Sequence, residues 1–183
     1  YSKLNSDMTI GIMGFGFLGK AVGTYLKKLN YNVLALKKDV KILNPKIPIY
    51  SHKDLDKFLR LSDIVISILP NTHDTKNFIN KKFLNKMKKK ALLVNIGRGS
   101  SLDEKDLLNH LNKNKEFFAS LDVFKIEPLP KNNQIWSHKN VTVTPHAAAL
   151  TDINSTIELM LKRYSYYKKN NKIKSDVNLK KGY

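Results

Sequence analysis

The chain contains no cysteine, so it can form no disulfide, no thiolate zinc site and no cysteine nucleophile. That absence points to a cytoplasmic address and leaves any chemistry to other groups. No apolar run reaches the roughly 18 to 20 residues that a bilayer span requires. Tyr1–Asp7 lacks the form of a signal sequence, so a soluble protein with no membrane partner is expected. Arginine is scarce: Arg60, Arg98 and Arg163 are the whole complement among 33 basic residues. The formal charge of +18 over 15 acids therefore comes almost entirely from lysine, spread from end to end as at Lys81, Lys82, Lys86 and 88–90. Such a charge attracts nucleic acid, anionic lipid or phosphorylated small molecules without choosing among them. A nucleic-acid groove usually brings arginine and exposed aromatics. A solvated lysine surface, with no nucleic-acid partner, is the expectation here. Apolar residues are not short, at 42%, which excludes disorder for the bulk of the 183 residues.

Short β-branched or apolar runs recur at Met8–Met13, Asn32–Leu36, Ile64–Leu69, Ala91–Ile96, Phe117–Val123 and Val141–Val143. They are nearly unbroken by polar residues, as strands buried on both faces are. Between them Leu18, Ala21, Val22, Tyr25, Leu26 and Leu29 repeat at helical steps, as do Leu55, Phe58 and Leu59, and then Leu107, Leu108 and Leu111. Alternating strand and helix means parallel crossovers and a doubly wound α/β fold. Ser51 with Asp54, and Ser101 with Glu104, read as helix starts in which hydroxyl and carboxylate satisfy orphan amides. Lys37–Tyr50, with Pro45 and Pro48, reads as a loop holding at most a short strand at Ile47–Tyr50, so a crossover helix is missing there. A long helix is predicted over 152–168, and 170–183 reads as a tail.

Glycine is sparse as well, 8 in all, yet Gly11, Gly14, Gly16, Gly19 and Gly23 crowd the first strand-to-helix turn. Gly14-Phe15-Gly16-Phe17-Leu18-Gly19 spells the dinucleotide fingerprint. Its first glycine permits a tight turn, its second admits a pyrophosphate, and its third packs helix on strand, while free amides and the helix dipole face the anion. An acid that accepts the ribose hydroxyls is expected about 20 residues on. Lys37 and Lys38 stand there instead, suited to a 2′-phosphate, although two lysines in so basic a chain also fit incidental surface charge. Cofactor specificity therefore leans to NADP(H), with NAD(H) still possible.

Further motifs, in the order they occur, carry a resemblance. They are Gly14–Gly19, Leu69-Pro70-Asn71-Thr72 with Thr75, Asn95-Ile96-Gly97-Arg98-Gly99, Leu121-Asp122-Val123-Phe124 with Glu127-Pro128, and Pro145-His146-Ala147. Over about residues 8–150 the chain resembles the NAD(P)-binding domain of the D-isomer-specific 2-hydroxyacid dehydrogenases, most of all their glyoxylate/hydroxypyruvate reductase branch. The resemblance implies a Rossmann-type domain over 8–150, a remnant of upstream sequence over 1–7, and a C-terminal helix and tail over 151–183 that return toward a substrate domain. That domain is largely absent from this chain. Val177–Tyr183 also resembles the terminus of the reductase branch.

Carried over residue by residue, the resemblance makes Arg98 the grip on a 2-oxo acid and His146 the proton donor to its carbonyl. Glu127 becomes the carboxylate that holds His146. The implied cofactor surface comprises Gly14, Gly16, Phe17, Leu18, Gly19, Lys37, Lys38, Leu69, Pro70, Thr75, Ile96, Gly97, Arg98, Asp122 and His146, with Asp122 against the nicotinamide. Read singly, Arg98 also fits a strand-end cap, His146 a loop histidine after Pro145, and Glu127 and Asp122 ordinary turn acids. His52, His73, His110 and His138 read as surface residues and Trp136 as packing. The implied protein is a cytoplasmic oxidoreductase, homodimeric, that passes hydride from NADPH or NADH to a small 2-oxo acid. Two other classes stay open: a dinucleotide-sensing interaction protein of the same fold, and a basic nucleic-acid-binding domain.

Overall fold

Aliphatic runs with few polar interruptions become strands of a single sheet. In a computed structural model, describing residues 4–38, 46–149 and 151–173, these are β1 (Thr9–Met13), β2 (Asn32–Leu36), β3 (Ile49–Tyr50), β4 (Ile64–Ser67), β5 (Leu92–Asn95), β6 (Phe118–Leu121) and β7 (Val141–Val143). Their order is β3-β2-β1-β4-β5-β6-β7, every pair parallel, with Ile12 of β1 opposite Ala35 of β2 and Ile66 of β4. The chain leaves β1 toward one edge and resumes at β4 toward the other. A topological switch therefore lies between β1 and β4, where loops part and open sheets bind ligands.

Helices α1 (Phe17–Lys28), α2 (Leu55–Leu61), α3 (Lys81–Leu84) and α4 (Glu104–Lys113) belong to the same unit, Tyr1–His146. Val22 and Leu26 of α1 close over Ile12, Phe15, Val33, Ala35 and Ile47. A larger core joins Met13, Val65 and Leu93 of the sheet to Phe58 and Leu59 of α2 and Leu107 and Leu111 of α4. Each fully buried side chain of this size contributes about 1.5–3 kcal/mol, enough to oppose the ordering of short helices such as α2.

Several expectations change. The helix expected at Ser101 starts instead after Asp103, whose carboxylate accepts from the Asp106 amide at 3.0 Å. Ser101 donates to the Arg98 carbonyl, and Glu104 accepts the Lys125 amide. Ser51 and Asp54 do form a reciprocal cap, on a 3-10 turn that leads into α2. Helix α3 has no counterpart in the sequence pattern, because four residues carry no helical period. His110 is not a surface residue: it packs edge-on against Phe117, at 4.7 Å between centroids, and burial lowers its pKa. Trp136 is half exposed, its indole donating to the Pro130 carbonyl at 3.0 Å, while neighbouring Ile135 does the packing. The loop expected between Lys37 and Tyr50 falls partly outside the described residues.

The second unit, Ala147–Tyr183, contains α5 (Ile153–Asn170). Asp152 caps it by accepting from the Ser155 amide, and Asn171 ends it in the left-handed region at φ 48°. Asn170, expected to begin the tail, closes the helix; the remainder of the tail from residue 174 lies outside the described residues.

Candidate functional site

The turn from β1 into α1 shows what each fingerprint glycine is for. Gly14 sits at φ +89°, and a Cβ there would lie 2.6 Å from the Ile68 carbonyl oxygen. A Cβ on Gly19 would lie 2.2 Å from the Gly14 oxygen, so this residue sets the contact of helix on turn. Gly16 differs, since a Cβ there meets nothing within 4 Å. It opens onto empty space at the start of a twelve-residue helix whose first amides receive no side-chain cap. Unsatisfied amides, the positive end of the dipole and a bare backbone fit the pyrophosphate of a dinucleotide. Phe17 and Leu18, both exposed, form the first turn of α1.

Beyond β2, Lys37 is half-buried and Lys38 exposed, and the Lys38 ammonium binds the carboxylate of Asp74 in the loop after β4. Nothing in the sequence marks Asp74, which lies 36 residues away. In that same loop Thr75 donates to the Pro70 carbonyl at 2.6 Å, and its hydroxyl accepts the Thr72 amide at 2.9 Å. Its hydroxyl therefore shapes the loop. Leu69 is buried against Gly97, where a Cβ would meet its backbone at 2.7 Å.

Beyond β5, Ile96 is half-buried and Arg98 exposed, with Nη1 donating to the Gly97 carbonyl at 2.7 Å. Buried Asn95 spans this turn, donating to the Arg98 carbonyl and accepting the Gly97 amide. Beyond β6, Asp122 is only 3% exposed and takes the Thr144 hydroxyl at 2.5 Å, while its own carbonyl accepts the His146 amide at 2.9 Å. Sequence reasoning misses Thr144 because its partner lies 22 residues away; its position next to Pro145-His146 is the available signal.

Glu127 and His146 meet. Glu127 accepts the Phe124 amide on Oε1, and its Oε2 lies 2.8 Å from His146 Nδ1. The Phe124 amide and then His146 hold the Glu127 carboxyl below the ordinary range. An ionised carboxylate only accepts, so Nδ1 carries the proton and Nε2 is the ring nitrogen left to exchange with a ligand. His146 adopts φ 53°, a conformation rare for a side-chain-bearing residue, which the Asp122 and Glu127 bonds support.

Because its folded value is lowered, Glu127 favours the folded state above the ordinary carboxylate range, and that contribution fades as pH falls through the lowered value. A carbon-13 titration of the Glu127 carboxyl should give a midpoint below the ordinary 4.5. A midpoint at or above it would mean that the bonds from Phe124 and His146 do not hold in solution.

Residues 1–148 match the NAD-binding domain of the D-isomer specific 2-hydroxyacid dehydrogenases. The chain belongs to that family. Glyoxylate/hydroxypyruvate reductase A of Photorhabdus laumondii is 37% identical over 145 residues, which cover 79% of this chain and 46% of the relative. The enzyme of the same name from Citrobacter koseri is 33% identical over 97% of this chain and 57% of its own length. Among solved structures, the NADPH-dependent glyoxylate/hydroxypyruvate reductase of Sinorhizobium meliloti, in complex with NADP and sulfate, superposes with a TM-score of 0.92 at 29% identity. That match takes in 100% of this dehydrogenase-family chain and 59% of the other. The chain thus spans about half the length of the curated relatives it matches. Among the described residues no helix is long and apolar enough to cross a membrane, and no cluster of three or more His, Asp or Glu could hold a metal ion.

Proposed function

We propose that this dehydrogenase-family chain is the cofactor-binding part of an oxidoreductase that uses NADPH to reduce glyoxylate or hydroxypyruvate to the 2-hydroxy acid. The Glu127–His146 pair at 2.8 Å carries this reading, because it puts a proton donor held by a carboxylate past the carboxyl end of a strand, in the same parallel sheet whose first strand leads into the glycine cradle. When bound, NADPH supplies the hydride.

The chain's own groups do the rest. The first amides of α1 bind the pyrophosphate, with Gly16 leaving room for it. Asp122, fixed by Thr144, orients the nicotinamide through its carboxamide. Arg98 turns its planar fork of donors to the carboxylate and carbonyl of the 2-oxo acid, exchanging its bond to the Gly97 carbonyl for them. His146 gives a proton from Nε2 to the carbonyl oxygen as negative charge builds there, while Glu127 keeps the ring in place through Nδ1. The resemblance to the reductases also carries the proposals of a homodimer and a cytoplasmic address.

Lys37, where an acid would select the unphosphorylated ribose, supports the preference for NADPH. A charge-assisted contact to phosphate contributes roughly 1.5–3 kcal/mol, so NADPH should bind more than about tenfold tighter than NADH, and less so as salt rises. Calorimetric titration measures this. Equal affinity for NADH, or an unchanged preference in Lys37→Asp, would overturn the assignment of the phosphate end. Absence of NADPH oxidation by the intact enzyme with either 2-oxo acid would favour a sensing role instead.

A further inference from the structure

Two glycines flank Arg98 and seat its backbone between neighbouring loops. A Cβ on Gly97 would lie 2.7 Å from the Leu69 backbone in the loop after β4, and one on Gly99 would lie 1.9 Å from the Phe124 carbonyl carbon in the loop after β6. Phe124 is also the residue whose amide donates to Glu127, the partner of His146. The Glu127 carboxyl, held low chiefly by that amide, feels the positive charge of Arg98 as well. The Arg98 turn is therefore set against the turn that holds the proton donor. Its side chain is lightly tied by comparison, exposed and with Nη1 on the adjacent Gly97 carbonyl.

The Arg98 carbonyl is held far more firmly. It accepts the Ser101 hydroxyl at 2.7 Å, the Ser101 amide at 3.2 Å and Nδ2 of Asn95 at 3.3 Å, and both Ser101 and Asn95 are fully buried. The hydroxyl makes the shortest of the three bonds, yet the amide already closes the 3-10 turn over Gly99–Ser101. A buried hydroxyl that the turn does not need costs desolvation with no return in backbone pairing. We infer that Ser101, together with Asn95, is a positioning residue for Arg98, fixing its carbonyl so that the guanidinium reaches a 2-oxo acid from a rigid base. The inference rests on the reading of Arg98 given above and deepens it. With the carbonyl locked, Arg98 stays extended at φ −140° and ψ 139°, and its Cα–Cβ bond keeps one direction beyond the end of β5. Arginine carries much rotamer freedom, so a fixed base leaves less for substrate binding to freeze.

The test is a double-mutant cycle in the intact enzyme: Ser101→Ala, Arg98→Ala and the two combined, assayed by NADPH oxidation with glyoxylate and with hydroxypyruvate, and titrated with NADPH. Ser101→Ala should lower kcat/KM by about three- to tenfold, mostly through KM, and change NADPH affinity by less than about twofold. Added to Arg98→Ala, the same substitution should change kcat/KM by less than about twofold, because it acts through a side chain no longer present. A role confined to building the turn would instead lower the melting temperature and give the same kinetic factor in both backgrounds. That result, or an unchanged kcat/KM in Ser101→Ala, overturns the inference while the reading of Arg98 stands. Ser101→Cys, similar in size and a weak donor, takes the place of Ser101→Ala in the cycle if the alanine variant does not fold. If Arg98→Ala alone keeps the parental kcat/KM, the reading beneath the inference falls as well.

Discussion

A Gly16→Val chain should fold and melt like the parent, yet bind neither NADPH nor NADH. The separation of the two effects comes from geometry. A Cβ at Gly14 or Gly19 would collide with backbone oxygen at 2.6 or 2.2 Å, so substitutions there damage the turn itself. At Gly16 nothing lies within 4 Å, and the two methyl groups of valine enter space that only a ligand would fill. They displace the pyrophosphate from the first amides of α1. Losing two charge-assisted hydrogen bonds, each roughly 1.5–3 kcal/mol, corresponds to at least about a hundredfold in affinity. Calorimetry with both nucleotides, paired with a thermal melt, measures the two halves separately. Unchanged affinity in a folded Gly16→Val chain would refute the cradle.

His146→Ala should lower kcat of the intact enzyme by about 10²–10⁴-fold while leaving nucleotide affinity within a small factor. The ring acts as charge develops on the carbonyl oxygen, so the ground-state complex loses little when it is removed. Its left-handed backbone, φ 53°, disfavours alanine for reasons unrelated to catalysis. His146→Asn is the better companion, because asparagine tolerates that region and cannot serve as the acid. Both variants should show the same loss in steady-state assays. Near-parental kcat in either would remove His146 from proton transfer.

How far the sequence made this architecture legible depended on the range of the interactions. The runs Asn32–Leu36 and Val141–Val143 coincide with β2 and β7, and the other strands are shorter than their runs by one or two residues at one or both ends. Burial on both faces writes itself into consecutive residues, so these are local signals. Local competition also misleads: Ser101-x-x-Glu104 and Asp103-x-x-Asp106 offer the same capping pattern two residues apart, and the second forms while Ser101 and Glu104 bond to Arg98 and Lys125 instead. Glu127 beside His146 is what the family resemblance implies, and the structure brings the two together. The Asp74 contact to Lys38, the Thr144 contact to Asp122 and the burial of His110 on Phe117 had no such trace. Each depends on which strand ends and helices become neighbours, and strand order is a property of the whole sheet.

That strand order also works as a ruler. On the proposed function, Lys37 at the end of β2 meets the phosphate and His146 just past β7 gives the proton, five strand spacings apart along β2-β1-β4-β5-β6-β7. At about 4.8 Å per spacing the two ends are roughly 24 Å apart, a length set by backbone hydrogen bonds and not by any side chain. Changes at sites this far apart generally combine additively. A substitution at Lys37 is therefore expected to alter the choice of nucleotide without retuning the histidine at the other end. A domain laid out in this way is modular along its own width.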